Sequence, residues 1–409
     1  MLNMIEWIAP ALALSLVAIA LSPQQLLDDR FQLSLLAAAV WISIVAVLRF
    51  SRRWYLQTLE GQEDPHPLAW SIAFLEFPFM FEAGTSFGFF ATFAVPSISA
   101  VLAGSKGFST CPQVRYDDTA ILMHEIGEFG PRSERGRAAI ARVNEIHGRH
   151  RGITRDDMAF TLWVFTFEPQ RWIDRYEWRR LTPGERRALW CFWREVGQGL
   201  KIANLPVEEG DFYSWGRNYA STKFSFRRSN RDLTNMVVLA ASRWGFPTSS
   251  TAAKEVQGFP QPSASDSLSV RLKQRILLTS ICALCPDAHL LEGVGLSREA
   301  AAVPRMVAML LKISVAFRGL FIGIFMPPRP TWLPGTLLGV SVSQSSKTPP
   351  SHSGDDPAYM FSCPRHFLSY RISGQYRLSD LGRPASHYQN LQEERGPDKD
   401  QRPGGGHLR

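Results

Sequence analysis

Two apolar runs at the N-terminus limit what this chain can become more than any other feature. Residues 5–21 are apolar except for Glu6 and Ser15, and residues 31–48 form a second run after the polar SPQQLLDDR. A helix needs about 20 apolar residues to cross the hydrocarbon core, so each run is close to a span. Arg49, Arg52 and Arg53 follow, beside Trp54 and Tyr55; basic and aromatic residues meet in this way at a cytosolic membrane boundary. No Lys or Arg precedes the first run and no small-x-small pattern stands near Pro23, unlike a secretory signal peptide. The expectation is membrane insertion of at least one run, as a single span or a hairpin, with the downstream chain in the cytosol. A pair of buried core helices is the alternative.

The rest of the 409-residue chain is long enough for a sizeable core. Its mean hydropathy is close to zero, which excludes a polytopic transporter. The 12 Trp and 26 Phe suit a core or an apolar pocket. A net charge of +8 suits an anionic membrane surface; no nucleic-acid motif accompanies it, so no nucleic-acid partner is expected. Cys111, Cys191, Cys282, Cys285 and Cys363 are too scattered for a disulfide framework. Cys282 and Cys285 form a lone C-x-x-C without a second ligand pair, and read as two helical cysteines.

Helical punctuation recurs downstream. Residues 61–68 (GQEDPHPL) read as a linker. The apolar stretch 75–104 is broken by Pro78, Gly84, Gly88 and Pro96; it predicts buried helices and turns, with Ala83, Gly84, Ser86 and Gly88 as a close-packing face. Asp117–Asp118 mark a predicted helix start, Thr154 precedes first-turn Asp156 and Asp157, and Thr182-Pro183-x-Glu185 is a capping box with proline in the first turn. No stretch alternates like a strand, so the fold class is all-α. Residues 246–270 read as a loop and 271–326 as helical, ending in MPPRP. Beyond Pro334 the composition is too rich in Ser, Pro and Gly to bury a core.

RAAIARVNEIHGRHRG carries the first candidate site. Ile140, Val143 and His147 fall on one helical stripe, and Asn144 and Arg151, at i−3 and i+4 from His147, share its face. A neutral imidazole on such a face is either an iron ligand or a core histidine bonded to a backbone carbonyl. In VRYDDT, Arg115 and Thr119 stand at i and i+4, able to hold a carboxylate or polarise dioxygen; a capped helix end is the alternative. MHEIGE places Glu128 where H-e-x-x-h metalloproteases have their second histidine, so His124 and Glu125 receive no zinc role. Trp172, Tyr176, Trp190 and Trp193 recur at helical spacing and read as a core face flanked by solvated arginines.

Taken in order, LEFPFMFEAGTSFGFFATFAVPSIS, VRYDDT and AIARVNEIHGRHRG through FWREVGQGLKI, then DFYSWGRNY, SNRDLTN and FMPPRP, resemble the fungal ER-bound oxygenases of the mpaB type, which share a catalytic domain with rubber oxygenase, the latex-clearing protein. The resemblance implies a globin-like helical domain behind an N-terminal ER anchor, haem b as cofactor, and oxidative cleavage of a lipophilic, isoprenoid-type substrate by dioxygen, in fungal secondary metabolism. His147 and Arg151 match the family's H-x-x-x-R, with His147 as the proximal iron ligand and Asn144 beside the cofactor. Arg115 and Thr119 match its R-x-x-x-T. They would bind a haem propionate or orient the oxygen ligand, with Arg151 as a support. Rubber oxygenases also use a distal glutamate, for which Glu76 and Glu82 are the apolar-flanked candidates. Residues 236–300 depart from the pattern, so a catalytically inactive, membrane-anchored adaptor of the same fold is the alternative function. The expected organisation is an anchor over 1–60, a catalytic core over 61–245, a divergent helical part of the domain over 246–334, and a disordered tail over 335–409.

Overall fold

The computed structural model describes residues 4–20, 29–105, 112–243, 268–285, 287–331, 359–360, 375–376 and 378–382. The architecture is all-helical, apart from two-residue strands at Tyr359–Met360 and Gln375–Tyr376 that pair antiparallel. Cys111, Cys363, most of the 246–270 loop and most of the tail lie outside the described residues.

The two apolar runs become Met4–Ala20 (α1) and Asp29–Leu59 (α2), which pack together as a helical hairpin. α2 continues past the apolar run, and its Leu56 is 2% exposed within the main core. The anchor and the catalytic domain therefore share one helix. Among the described residues, α2 from Phe31 and a C-terminal helix, Arg305–Phe325 (α15), are long and apolar enough to cross a membrane.

The linker ends earlier than expected. Pro65 starts His66–Ser71 (α3), which runs on as a π turn over Ile72–Glu76, with Leu68 and Ile72 buried. The broken apolar stretch forms Pro78–Thr92 (α4) and Pro96–Gly104 (α5), bent by 91°. Met80, Phe87, Phe90 and Phe93 are buried there, so both helices belong to the protein core. Pro112–Phe129 (α6) and Glu134–Gly148 (α7) follow, then Arg155–Tyr176 (α8) and Pro183–Gly199 (α9). Glu209–Lys223 (α10), Arg228–Arg243 (α11), Leu268–Leu284 (α12), Ala288–Gly293 (α13) and Ser297–Ala302 (α14) lead into α15.

The predicted caps form. Thr154 accepts from the Asp157 N–H at the start of α8, and Thr182 and Glu185 close a reciprocal capping box at the start of α9. The small-residue face also forms. A Cβ on Gly84 would lie 2.5 Å from Pro169 Cα, and one on Gly88 would lie 3.1 Å from the Val164 carbonyl oxygen. Pro169 has no N–H to donate inside α8, and α4 lies directly against it. Cys282, Cys285, Leu290, Leu291, Val294 and Leu296 belong to the same core as Phe160 and Trp190, so α12–α14 are built into the catalytic domain.

Several expectations change. α6 begins at Pro112, so Asp118 is not at a helix start; it is buried within the helix and accepts from the Gly382 N–H at 2.8 Å. Asp157 occupies the first turn of α8 as expected, but it is also a buried acceptor for Tyr219 (2.6 Å) and Ser97 (2.7 Å). The arginines are not all solvated. Arg179 is 3% exposed and forks onto Glu185 at 2.6 and 2.7 Å, with Glu76 at 3.7 Å. The tail is not wholly unpacked either: Leu378 and Leu381 are buried, and Arg142 of α7 donates to the Ser379 and Leu381 carbonyls. Two leucines and a buried guanidinium suffice to dock a segment whose composition cannot fold alone.

The α4–α8 contact leaves no room for a side chain at Gly84. Gly84→Val should cost about 1–3 kcal/mol through overpacking, read as a lower urea midpoint at unchanged m-value. An unchanged midpoint would show that the two helices separate freely.

Candidate active site

The predicted constellation assembles in part. Arg115 lies on α6 and His147 in the last turn of α7, two helices that pack together. The Nδ1 of His147 and the Nε of Arg115 are both buried without a hydrogen-bond partner. Burial, reinforced by the His150 and Arg115 charges nearby, holds the His147 imidazole down to about 4, so at neutral pH the ring is uncharged. Two further members do not converge. α7 ends at Gly148, and Arg151 sits beyond it in an exposed turn, so the i+4 relation to His147 that a longer helix would give is lost. Asn144 turns to the end of α9 and donates to the Gly199 carbonyl at 2.9 Å. Thr119 is on α6 as expected, but its hydroxyl donates to the Arg115 carbonyl at 2.9 Å. Its place is fixed within its own helix.

The two glutamate candidates separate as well. Glu76 belongs to the buried Arg179 cluster, where burial raises its carboxyl above the usual range. Glu82 instead lines an apolar cavity of about 90 Å³, together with Trp70, Phe74, Phe81, Met123 and His124. α3 and its π turn, α4, α6 and α9 supply the walls.

His124 is the residue that motif reading passed over. Its Nδ1 faces the Ala120 carbonyl at 2.8 Å; a carbonyl only accepts, so Nδ1 carries the proton and Nε2 is left as the acceptor. Burial lowers its pKa. His124 and Glu128 stand at i and i+4 on α6, and Glu128 accepts from Trp70 Nε1 at 3.0 Å, so polar groups of this helix face and the cavity wall are held in place. The signal lay in the apolar neighbours Ile121, Leu122, Met123 and Ile126, which marked this face of α6 as buried. Nine residues separate Arg115 from His124, about 14 Å of helix. The Arg115–His147 pair and the cavity thus occupy opposite ends of α6.

The burial of His124 gives stability a pH dependence. Its folded-state pKa lies below that of the unfolded chain, so its contribution is complete above about pH 6.5 and is lost as the pH falls toward the folded-state value. The drop in urea midpoint between about pH 7 and pH 5 should be smaller in His124→Phe than in the parent. Equal drops in the two proteins would place the protonation elsewhere.

Comparison with known proteins covers the same region. The family described as "ER-bound oxygenase mpaB/B'/Rubber oxygenase, catalytic domain" matches residues 72–312, running through residues 236–300 that the sequence reading set apart. ER-bound oxygenase mpaB of Penicillium brevicompactum is 30% identical over 238 residues, which cover 50% of this chain and 60% of the relative. ER-bound oxygenase mpaB' of the same fungus is 33% identical over 184 residues, 41% and 43% of the two chains. ER-bound oxygenase mpaB of Penicillium roqueforti (strain FM164) is 33% identical over 173 residues, 40% and 58%. This chain therefore spans about half the length of these relatives. No solved structure matches it. With the family's catalytic domain matched over residues 72–312, more than half of its length, the chain belongs to the mpaB/rubber oxygenase family.

Proposed function

We propose that this protein is a membrane-anchored oxygenase that oxidises or cleaves a lipophilic, prenyl-type chain with dioxygen, with its catalytic domain on the cytosolic face of the ER membrane. Family membership carries the reading. The apolar cavity supports the substrate class, because aromatic and aliphatic walls exclude water and favour a hydrocarbon chain.

The residues present fit a haem b group. His147 offers a neutral imidazole with a buried, unpartnered nitrogen, the state in which a histidine binds iron. Arg115 offers a buried guanidinium beside it, suited to a propionate carboxylate. Among the described residues no group of three or more His, Cys, Asp or Glu side chains is placed to hold a metal ion, so iron here would draw most of its ligands from a macrocycle. When bound, the haem supplies the activation of dioxygen, which side chains do not perform.

The chain's own residues have separate tasks. The Arg115 charge, next to His147, disfavours protonation of the imidazole and keeps its nitrogen available. The cavity walls Phe74, Phe81 and Met123 orient an apolar chain and keep water out. His124 holds its proton at Nδ1 against the Ala120 carbonyl and presents Nε2 as an acceptor. Glu82, on the opposite wall, is the candidate base.

The detergent-solubilised full chain should show a Soret band and a positive pyridine haemochrome assay. His147→Ala should lose the band with helical circular dichroism unchanged, and Arg115→Ala should weaken haem retention about 10–100-fold. A normal haem spectrum in His147→Ala would sink the ligand assignment, and a colourless parent protein given excess haem would favour the adaptor. Filling the cavity tests the substrate site independently: Ala73→Phe should lower turnover while the haem spectrum stays constant. Unaltered turnover would move the substrate out of this cavity.

A further inference from the structure

α15 has its apolar stripe on the wrong side for a soluble helix. Its inward face is made of small residues and one ion pair. A Cβ on Gly319 would lie 2.4 Å from the Tyr176 carbonyl oxygen, and one on Gly323 would lie 2.6 Å from Trp178 Cβ. Between them in height, Arg318 pairs with Glu177 at 3.1 Å and stacks over Phe79 at 3.9 Å. Its outward face carries Met306, Met309, Leu310, Ile313, Phe317 and Phe321 at helical spacing, with Met306 66% and Phe317 63% exposed. A surface helix normally places its apolar stripe toward the core, and a continuous exposed stripe of this size marks a contact with a partner or a membrane.

The anchor identifies the occupant. Ile324 packs in one cluster with Ala13 and Ile42, joined by Leu320, Phe325 and Ala46. Ile42 and Ala46 lie inside the apolar run 31–48 of α2. The last two turns of α15 therefore sit at the height of the segment that crosses the hydrocarbon core. The end of α15 is also finished as lipid requires. Arg49 donates to the Ile322 and Met326 carbonyls at 2.7 and 2.8 Å, and Trp41 Nε1 donates to the Phe325 carbonyl at 2.8 Å. A helix terminus in water needs no such partners, whereas unpaired carbonyls at membrane depth are costly. Arg52 reaches the Arg329 carbonyl at 2.7 Å and ties the following segment back to the same helix.

We propose that α15 is a second lipid-embedded element, with its outward stripe lying in the acyl region of the bilayer next to α2. The Arg318–Glu177 pair and the two close-packed glycines hold its other face on the catalytic domain, so α15 dips into the bilayer from one side without crossing it. Lys312, exposed on the helix, reaches the phosphate level on its flexible stem. The domain is then seated on the membrane by two helices, with a fixed orientation, rather than tethered by one. This proposal rests on α2 being in the bilayer, as the proposed function requires.

The test uses the full chain reconstituted in phosphatidylcholine vesicles, with the photo-crosslinker p-benzoylphenylalanine placed at one position at a time. Phe317→p-benzoylphenylalanine and Phe321→p-benzoylphenylalanine are conservative replacements at exposed sites. Val40→p-benzoylphenylalanine reports α2, and Tyr213→p-benzoylphenylalanine on α10 is the water-exposed control. Mass spectrometry should find lipid adducts at 317 and 321 in yields comparable to position 40, and none at 213. Lipid adducts at 40 without any at 317 and 321 would overturn the proposal and leave the anchor standing. Cross-links from 317 or 321 to a second copy, or to another part of this chain, would overturn it in favour of a protein-covered face. Adducts at none of the positions would remove the anchor and the proposal together.

Discussion

The close approach of α4 to α8 at Gly84 and Gly88 organises everything around it. With no Cβ at either position, backbone meets backbone along the contact, and the aromatic side chains of both helices are pushed to its flanks. Phe87 meets Trp172 at 5.2 Å on one flank, and Phe160, Trp163 and Phe167 build the adjoining stack on another. α4 also forms one wall of the apolar cavity, through Phe81, Glu82 and Thr85. The cavity's width therefore depends on how deeply α4 sinks onto α8, and that depth is set by two glycines and by Pro169.

A second constraint joins the membrane to the domain. Trp178 lies between Arg49 of α2, at 4.5 Å, and Arg179, at 5.3 Å. Arg179 is in turn held by Glu185 of the α9 capping box. Glu60, just beyond α2, accepts from the Thr182 hydroxyl at 2.7 Å. A buried guanidinium is tolerated only when fully paired, and here the pairing runs through the start of α9 and approaches Glu76 after the π turn. The arginines at the end of the apolar run thus have a structural task beyond marking the cytosolic side: they cap α15 and lock the anchor onto the catalytic core.

These contacts place the two chemically interesting regions at opposite ends of α6. Arg115 and His147 meet where α6 and α7 pack, and the Leu378–Gly382 segment closes over the same end through Asp118 and Arg142. His124 and Glu82 face the cavity at the other end. The separation makes different demands on each. The first region requires an uncharged imidazole beside a cation, and burial provides it. The second requires a dry apolar wall with few polar groups, and the aromatic rings provide that.

The sequence by itself determined whatever depends on neighbours a few residues apart. The apolar runs, the caps at Thr154 and Thr182–Glu185, the small-residue face at Gly84 and Gly88, the helical stripe through Ile140 and Val143, and the family motifs are local patterns, and local hydrogen bonding and periodicity fix them. Tertiary structure decided the rest, because it depends on which surfaces meet. Arg151 left the His147 face when α7 stopped at Gly148, and Asn144 was claimed by a carbonyl from α9. Of two similar glutamates, Glu76 fell beside Arg179 and Glu82 beside the cavity. His124 acquired its setting from rings on α3 and α9 that are distant in the chain, and the outward stripe of α15 gained its meaning only from the α2 residues packed against its end. Burial and pairing of this kind come from contacts across the fold, and no spacing within one segment encodes them.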